Sequence, residues 1–353
     1  MKGLVCSACV VAVLCGAGWA QGWEDYGQVW APVTGVISLQ CVVADVERFG
    51  ETGSVPSAAP LYKMYYSNGI YPECNQIHLA ASPDGVMWAF VGPVKDEGKR
   101  PVVAYSPVGF GEGEARYKMW YTVASTEEER WRTASWRVCE SADGVTWTES
   151  VSCEDGEATK RLVEPEEPEA WNRGSYGPLR VLFNPDGPAE VNLAEPLSNR
   201  YAMYYNVYGV DEVAEAEGLP RVTVSVALAV SVDGVKWYCA SDGPVLRGLP
   251  SVTGGMLSYA DVARVDGGYV MVLLTESHPA AGYVRSIAQA HSADGVHWTV
   301  VRKDVATLKT TDEDKGTYGV SVAVDPMTGA IQVWLAAADG EGRLAIRYGR
   351  WEQ

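Results

Sequence analysis

Residues 82–88 read SPDGVMW, and the phrase returns as SADGVTW from Ser141, SVDGVKW from Ser231 and SADGVHW from Ser292. The starts lie 59, 90 and 61 residues apart. A second phrase precedes each one: YKMYY from Tyr62, YKMWY from Tyr117, YAMYY from Tyr201 and YVMVL from Tyr269. Two signals in fixed order, four times over, define a repeat, and a repeat decides the architecture before any single element does. The longer middle interval is the same unit with loops inserted.

Each unit reads as four strands. An apolar run comes first (Val102 to Tyr105, Leu179 to Phe183, Val262 to Val265), followed by the aromatic Tyr-x-Met strand. A third strand runs into the Ser, and the Trp opens a fourth. The Asp-Gly between them predicts a two-residue hairpin turn, because Gly tolerates positive φ and Asp bonds nearby amides. Each Trp (Trp88, Trp147, Trp237, Trp298) then has an apolar ring to pack across to a neighbouring sheet. The phrase is thus assigned a structural role, on the face opposite any pocket at the inner-strand starts.

Four-stranded units arranged around an axis are propeller blades, so the expected fold is an all-β, five-bladed β-propeller. The fifth unit is incomplete: TYGVSVAVDP from Thr317, IQVWLA from Ile331 and RLAIRYGR from Arg343 supply three strands. VWAPVTG (Val29 to Gly35) resembles MWAFVGPV (Met87 to Val94), a fourth strand without its first three. The N-terminal strand carrying Trp30 is therefore expected to close the ring as the outer strand of blade five, leaving no unpaired internal edge.

The first 20 residues, one Lys followed by an almost uncharged stretch ending in Gly18 and Ala20, have the pattern of a signal peptide. Residues 21–353 are then expected to form one exported propeller domain, periplasmic or extracellular, with no spanning segment. Beyond that leader five Cys remain: Cys41, Cys74, Cys139, Cys153 and Cys239. Disulfides between Cys41 and Cys74 and between Cys139 and Cys153 would close the shortest loops, and buried free thiols are the alternative. The spacing holds no Cys-x-x-Cys, and the four His are scattered, so neither a metal nor a cofactor is expected. With 28 basic residues against 45 acidic ones, the formal net charge of −17 argues against nucleic acid and anionic membranes as partners. The acidic runs Glu127 to Glu129, Glu164 to Glu169 and Asp211 to Glu217 read as solvated loops.

The Tyr-Lys-Met-Trp-Tyr strand followed by Ser-x-Asp-Gly-x-x-Trp resembles the five-bladed propellers of the glycoside hydrolase superfamily that includes families 32, 43, 62, 68 and 130. The blade pattern covers nearly the whole chain past the leader. Sialidase Asp boxes are similar but carry one more residue between Asp and Gly. The resemblance implies an axial pocket at the inner-strand starts and a carbohydrate ligand, acted on or simply bound. A non-catalytic propeller holding a glycan or a protein at the cell envelope is the alternative.

Placement at those starts nominates SYGP from Ser175, SYAD from Ser258 and TYGV from Thr317, whose Tyr176, Tyr259 and Tyr318 would ring the mouth as apolar faces for sugars. Hydrolysis in this superfamily needs paired carboxylates. The best placed acids are Asp261, in the blade-four inner strand, and Glu276 in the TESH loop, with His278 beside it. Trp171, Asn172, Arg173 and Arg100 are ligand-contact candidates on the same grounds. The sequence departs from the family in one respect: TGVISLQC (Thr34 to Cys41) holds no acid where the first blade usually carries an Asp, and blade two offers Arg100 instead.

Overall fold

A computed structural model describes residues 23–32, 37–45, 61–68, 76–111, 113–123, 135–151, 170–277, 283–310, 319–338 and 344–351. It forms five antiparallel four-stranded sheets. Blade one is β2 (Ile37–Asp45), β3 (Leu61–Asn68), β4 (Gln76–Ser82) and β5 (Ala89–Lys95); blade two is β6 (Lys99–Tyr105), β7 (Tyr117–Val123), β8 (Ser135–Ser141) and β9 (Thr148–Val151). Blade three comprises β10 (Gly174–Phe183), β11 (Tyr201–Val210), β12 (Val222–Ser231) and the two-residue β13 (Tyr238–Cys239). Blade four comprises β14 (Met256–Val265), β15 (Gly268–Ser277), β16 (Tyr283–Ser292) and β17 (Thr299–Thr310). Blade five comprises β18 (Gly319–Val324), β19 (Ile331–Ala338), β20 (Leu344–Trp351) and, as its outer strand, β1 (Glu24–Trp30).

The ring closes as the Trp30 reading requires. β1 pairs antiparallel with β20, Glu24 opposite Arg350 and Trp30 opposite Ile346. Among the described residues no helix is long and apolar enough to cross a membrane.

The Ser-x-Asp-Gly phrase is a larger structure than a two-residue hairpin turn. β4 ends at Ser82 and β5 begins at Ala89, leaving six residues in the connection. Ser82 Oγ accepts from the Gly85 amide at 2.9 Å, while Asp84 Oδ1 accepts from the Val86 and Met87 amides at 2.9 and 2.7 Å. Gly85 adopts φ +75°, which a side chain would strain. The other three phrases repeat this pattern, with Gly144, Gly234 and Gly295 at φ +74°, +75° and +74°. Two side chains thus satisfy the turn amides, so the chain reverses without a tight two-residue corner.

What these turns do is hold neighbouring blades together. Each glycine carbonyl points at the preceding blade and accepts a hydrogen bond from the fourth residue of that blade's second-strand phrase. Tyr65 reaches Gly144 at 2.8 Å, Trp120 reaches Gly234 at 2.7 Å, Tyr204 reaches Gly295 at 2.7 Å and Trp334 reaches Gly85 at 2.7 Å. The Trp of each phrase then packs on the same ring: Trp147 on Tyr65, Trp237 on Trp120, Trp298 on Tyr204 and Trp88 on Trp334, with centroids 5.6 to 6.2 Å apart at steep angles. Such edge-on aromatic pairs add about 0.5–1.5 kcal/mol beyond their buried area. The exception is Val272 in blade four, which faces a fifth blade that carries no Ser-x-Asp-Gly phrase and has no turn carbonyl to offer.

The second residue of the phrase adds another tie in two blades. Lys63 Nζ donates to the Asp143 carbonyl at 2.8 Å and Lys118 Nζ to the Asp233 carbonyl at 3.0 Å. Lys63 is 1% exposed, and it also donates to Tyr117 Oη at 2.7 Å and Asp45 Oδ2 at 3.3 Å. Burial pushes its ammonium down to about 8, although the Asp45 charge pulls the other way.

Cys41, Cys139 and Cys239 are free thiols, so the Cys41–Cys74 and Cys139–Cys153 pairings do not form; Cys74 and Cys153 themselves lie outside the described residues. Burial raises Cys139 to about 12, which keeps it an inert core thiol. The run from Asp211 to Glu217 is not a loop: Glu212–Ala216 is a short helix, α1, and the buried Asp211 caps it by accepting from Val213 N at 3.0 Å. The other two acidic runs lie outside the described residues.

Two outcomes follow from the turns and the buried lysine. Asp84→Ala should lower unfolding free energy by about 1–3 kcal/mol in a urea titration, since three hydrogen bonds to Oδ1 are lost, without changing ligand affinity. For Lys63 the folded value lies below the unfolded one, so the unfolded chain binds the extra proton between about pH 8 and 10.5. Wild type should therefore gain stability over Lys63→Met as pH rises through that window, by at most about 3 kcal/mol. A constant or shrinking difference would contradict the buried, desolvated ammonium.

Candidate functional site

Strand alternation places the inner-strand starts, the ends of the second strands and the starts of the third on one face, and the Ser-x-Asp-Gly turns on the other. The first face is the one expected to carry the mouth of the axis, whereas an axial cavity of about 260 Å³ lies toward the other, lined by the later halves of all five inner strands. Between the two faces, at the middle of the inner strands, lies a buried ion pair joining blades three and four. Arg180 on β10 donates from Nε to Asp261 Oδ1 at 2.7 Å and from Nη2 to Oδ2. Nη2 also donates to the Val322 carbonyl of blade five at 2.8 Å, and Nη1 lies 3.8 Å from Cys41 Sγ of blade one. Burial disfavours the Arg180 charge, but the adjoining Asp261 carboxylate more than offsets this and holds the guanidinium above its ordinary value.

Asp261 is saturated. Besides Arg180 it accepts from its neighbour Val262 N at 2.8 Å, Val322 N at 2.8 Å and Ser321 Oγ at 3.1 Å, and it is 2% exposed. Five donors on two oxygens leave no lone pair well placed for a substrate proton. Sequence alone showed Asp261 at an inner strand; its partner Arg180, in the unremarkable run PLRVLF, carried no signal of its own.

Glu276 is not brought to Asp261. Asp261 stands opposite Val272 and Glu276 opposite Met256, so four residues of β15, about 13 Å of strand, separate the two levels. Glu276 sits at the mouth, its side chain 21% exposed, with Oε1 accepting from Arg285 Nε at 3.1 Å and Nη2 at 3.0 Å. Across the mouth Arg100, the second residue of β6, adopts φ +55°, a left-handed conformation that costs a non-glycine residue on the order of 1–3 kcal/mol. Its amide donates to Ser67 Oγ at 2.9 Å. Its side chain runs beside Gly177, where a Cβ would come within 3.8 Å of Arg100 Cδ. The Tyr259 hydroxyl is raised above its ordinary range by burial, while the Arg100 charge draws it back, which sets these two groups near each other.

The remaining candidates fall in three places. Tyr176 is the third residue of β10, and its side chain lies outside the described residues, as do Tyr318 and His278 entirely. Trp171 and Asn172 line a cavity of about 380 Å³ on the mouth face of blade three, displaced from the axis. Arg173 follows them, partly exposed, between that cavity and β10. The described residues contain no cluster of three or more His, Cys, Asp or Glu able to hold a metal ion.

No family model matches the chain, and no curated protein matches it in sequence. Solved structures do match in fold. A glycoside hydrolase superposes with a TM-score of 0.59 at 15% identity, over 94% of this protein and 92% of that one. Zg3597, a family 117 glycoside hydrolase produced by the marine bacterium Zobellia galactanivorans, gives 0.55 at 10% identity over 93% and 90%. A thermostable family-43 glycoside hydrolase gives 0.52 at 14% identity over 90% and 89%. The protein is a five-bladed β-propeller, as its repeat implied, similar in fold to these glycoside hydrolases.

The axial pair yields a prediction. Asp261→Asn leaves Arg180 buried and uncompensated and should cost about 3–5 kcal/mol of stability by chemical denaturation, whereas Asp261→Leu combined with Arg180→Met should recover most of that loss.

Proposed function

We propose that the protein is an exported carbohydrate-binding propeller that holds a glycan at the axial mouth, with recognition dominating over hydrolysis. The observation that carries this reading is the condition of the two acids nominated for catalysis. Asp261 is locked by five donors, and Glu276 lies at another level, tied to Arg285. Glycosidases need two carboxylates about 5–10 Å apart and free to exchange protons. A partly exposed carboxylate paired with an arginine suits the acceptance and donation of hydrogen bonds to sugar hydroxyls instead. Glu276 accepts from a hydroxyl and Arg100 donates to one. The strained Arg100 backbone supports this placement, since such strain concentrates where a side chain must be aimed.

A hydrolase using Glu276 as its proton donor remains the second reading, favoured by the architecture shared with glycoside hydrolases. The two separate in one experiment. Purified protein, without its first 20 residues, is screened on a glycan array and in parallel for reducing-sugar release from oligosaccharides and for cleavage of aryl glycosides. The expected outcome is saturable binding without turnover, and Glu276→Gln should weaken binding by about tenfold or more, as loss of a charged acceptor requires. Turnover by wild type that disappears in Glu276→Gln would establish the hydrolase reading in its place.

A further inference from the structure

The cavity on blade three is built differently from a gap between loops. It lies where the segment before β10, the end of β11, the start of β12 and the loop after β13 converge, all on the mouth face. Its volume of about 380 Å³ falls within the range of small-molecule sites, roughly 300–1,000 Å³. Gly209 makes the convergence possible: a Cβ there would collide with the Trp171 carbonyl, so only glycine lets the incoming segment lie against β11. The Val210 amide then donates to the Ala170 carbonyl at 3.1 Å. On the far side the loop is pinned by reciprocal hydrogen bonds between Val226 and Leu246, at 2.9 and 3.2 Å.

Two side chains give the cavity its chemistry. Trp171 is partly buried against the core shared by blades two and three, which fixes its ring while it also lines the cavity. Arg247 is held by the buried Asp211, whose Oδ1 lies 2.6 Å from Nη1. Asp211 is itself immobilised by capping α1, so the guanidinium is aimed although it is 44% exposed. Trp171 beside an aimed guanidinium, with Asn172 and Asp242 also lining the cavity, brings apolar surface together with donors and acceptors. The three lining carboxylates, from Asp211, Glu212 and Asp242, outnumber the one arginine and disfavour an anionic ligand.

We infer that this cavity is a second carbohydrate subsite, taking a neutral sugar residue, and that the physiological ligand is an extended or branched oligosaccharide reaching from the axial mouth to blade three. The inference rests on the glycan-binding reading and adds to it the length of the ligand. Occupation of both sites by one oligosaccharide makes the second contact intramolecular, so affinity rises with ligand length once the ligand spans the gap.

The test is a length series. The best neutral oligosaccharide from the array and its shorter homologues are titrated by calorimetry against wild type, Trp171→Ala, Arg247→Gln and Gly243→Trp. The last variant adds bulk at a lining position where a Cβ meets nothing within 4 Å, so it can obstruct the cavity without disturbing the Trp171 and Arg247 contacts. Thermal melts confirm that each variant is folded. The expected result is a loss of about tenfold or more for the longest ligand in all three variants, with the shortest ligand bound as in wild type. Unchanged affinity for every length would overturn the second subsite while leaving the axial reading intact. If wild type binds no saccharide, the axial reading fails, and the subsite with it.

Discussion

The fold depends on a carbonyl oxygen. In four turns the backbone twists through a glycine at positive φ, and the twist turns that glycine's carbonyl outward, toward the preceding blade. A Tyr or Trp from that blade supplies the donor and, with the same ring, the surface on which the turn's own Trp packs. Hydrogen bond and aromatic contact share one side chain, so a blade cannot shift against its neighbour without losing both. The apolar cores lie between the blades rather than within them, which is why these inter-blade ties govern the geometry of the whole ring.

The axis is secured by a different device. Arg180 and Asp261 connect blades three and four directly, Val322 and Ser321 bring in blade five, and Cys41 Sγ packs against the guanidinium from blade one. A charged pair in so dry a place is neutral or costly for stability when compared with an apolar core of equal volume. Its value is positional: it fixes inner strands from several blades at one height, and Tyr259 is presented from a strand so fixed. A carboxylate at an inner strand has here become part of the frame.

The architecture was legible because every blade repeats the same chemistry, and repetition separates signal from coincidence. Trp30 could be assigned to blade five because an outer strand with its Trp but without preceding strands has one place to go. The turn itself was misread: Asp-Gly alone indicates a two-residue hairpin, and only the Ser three residues before the Gly, capping a longer bend, distinguishes the two. The site was less legible because its members occur once. Arg180 and Arg247 lie in runs with no motif, and their roles arise from carboxylates 81 and 36 positions away. Asp211 was hidden for a related reason, being the one buried acid of a stretch whose composition signals solvent.

The closing seam also sets how the ring responds to load. Glu24 and Arg350 are adjacent in space although 326 positions separate them, and β1 and β20 run antiparallel. The outward ends of both strands therefore leave the seam on the same side. Tension applied between the two ends of the propeller would not slide β1 along β20, which would strain all their hydrogen bonds together; it would peel the pair apart one bond at a time, starting at Glu24. The ring is thus stiff against rotation of blade on blade and weak at one hinge-like edge, where it opens without disturbing the axis.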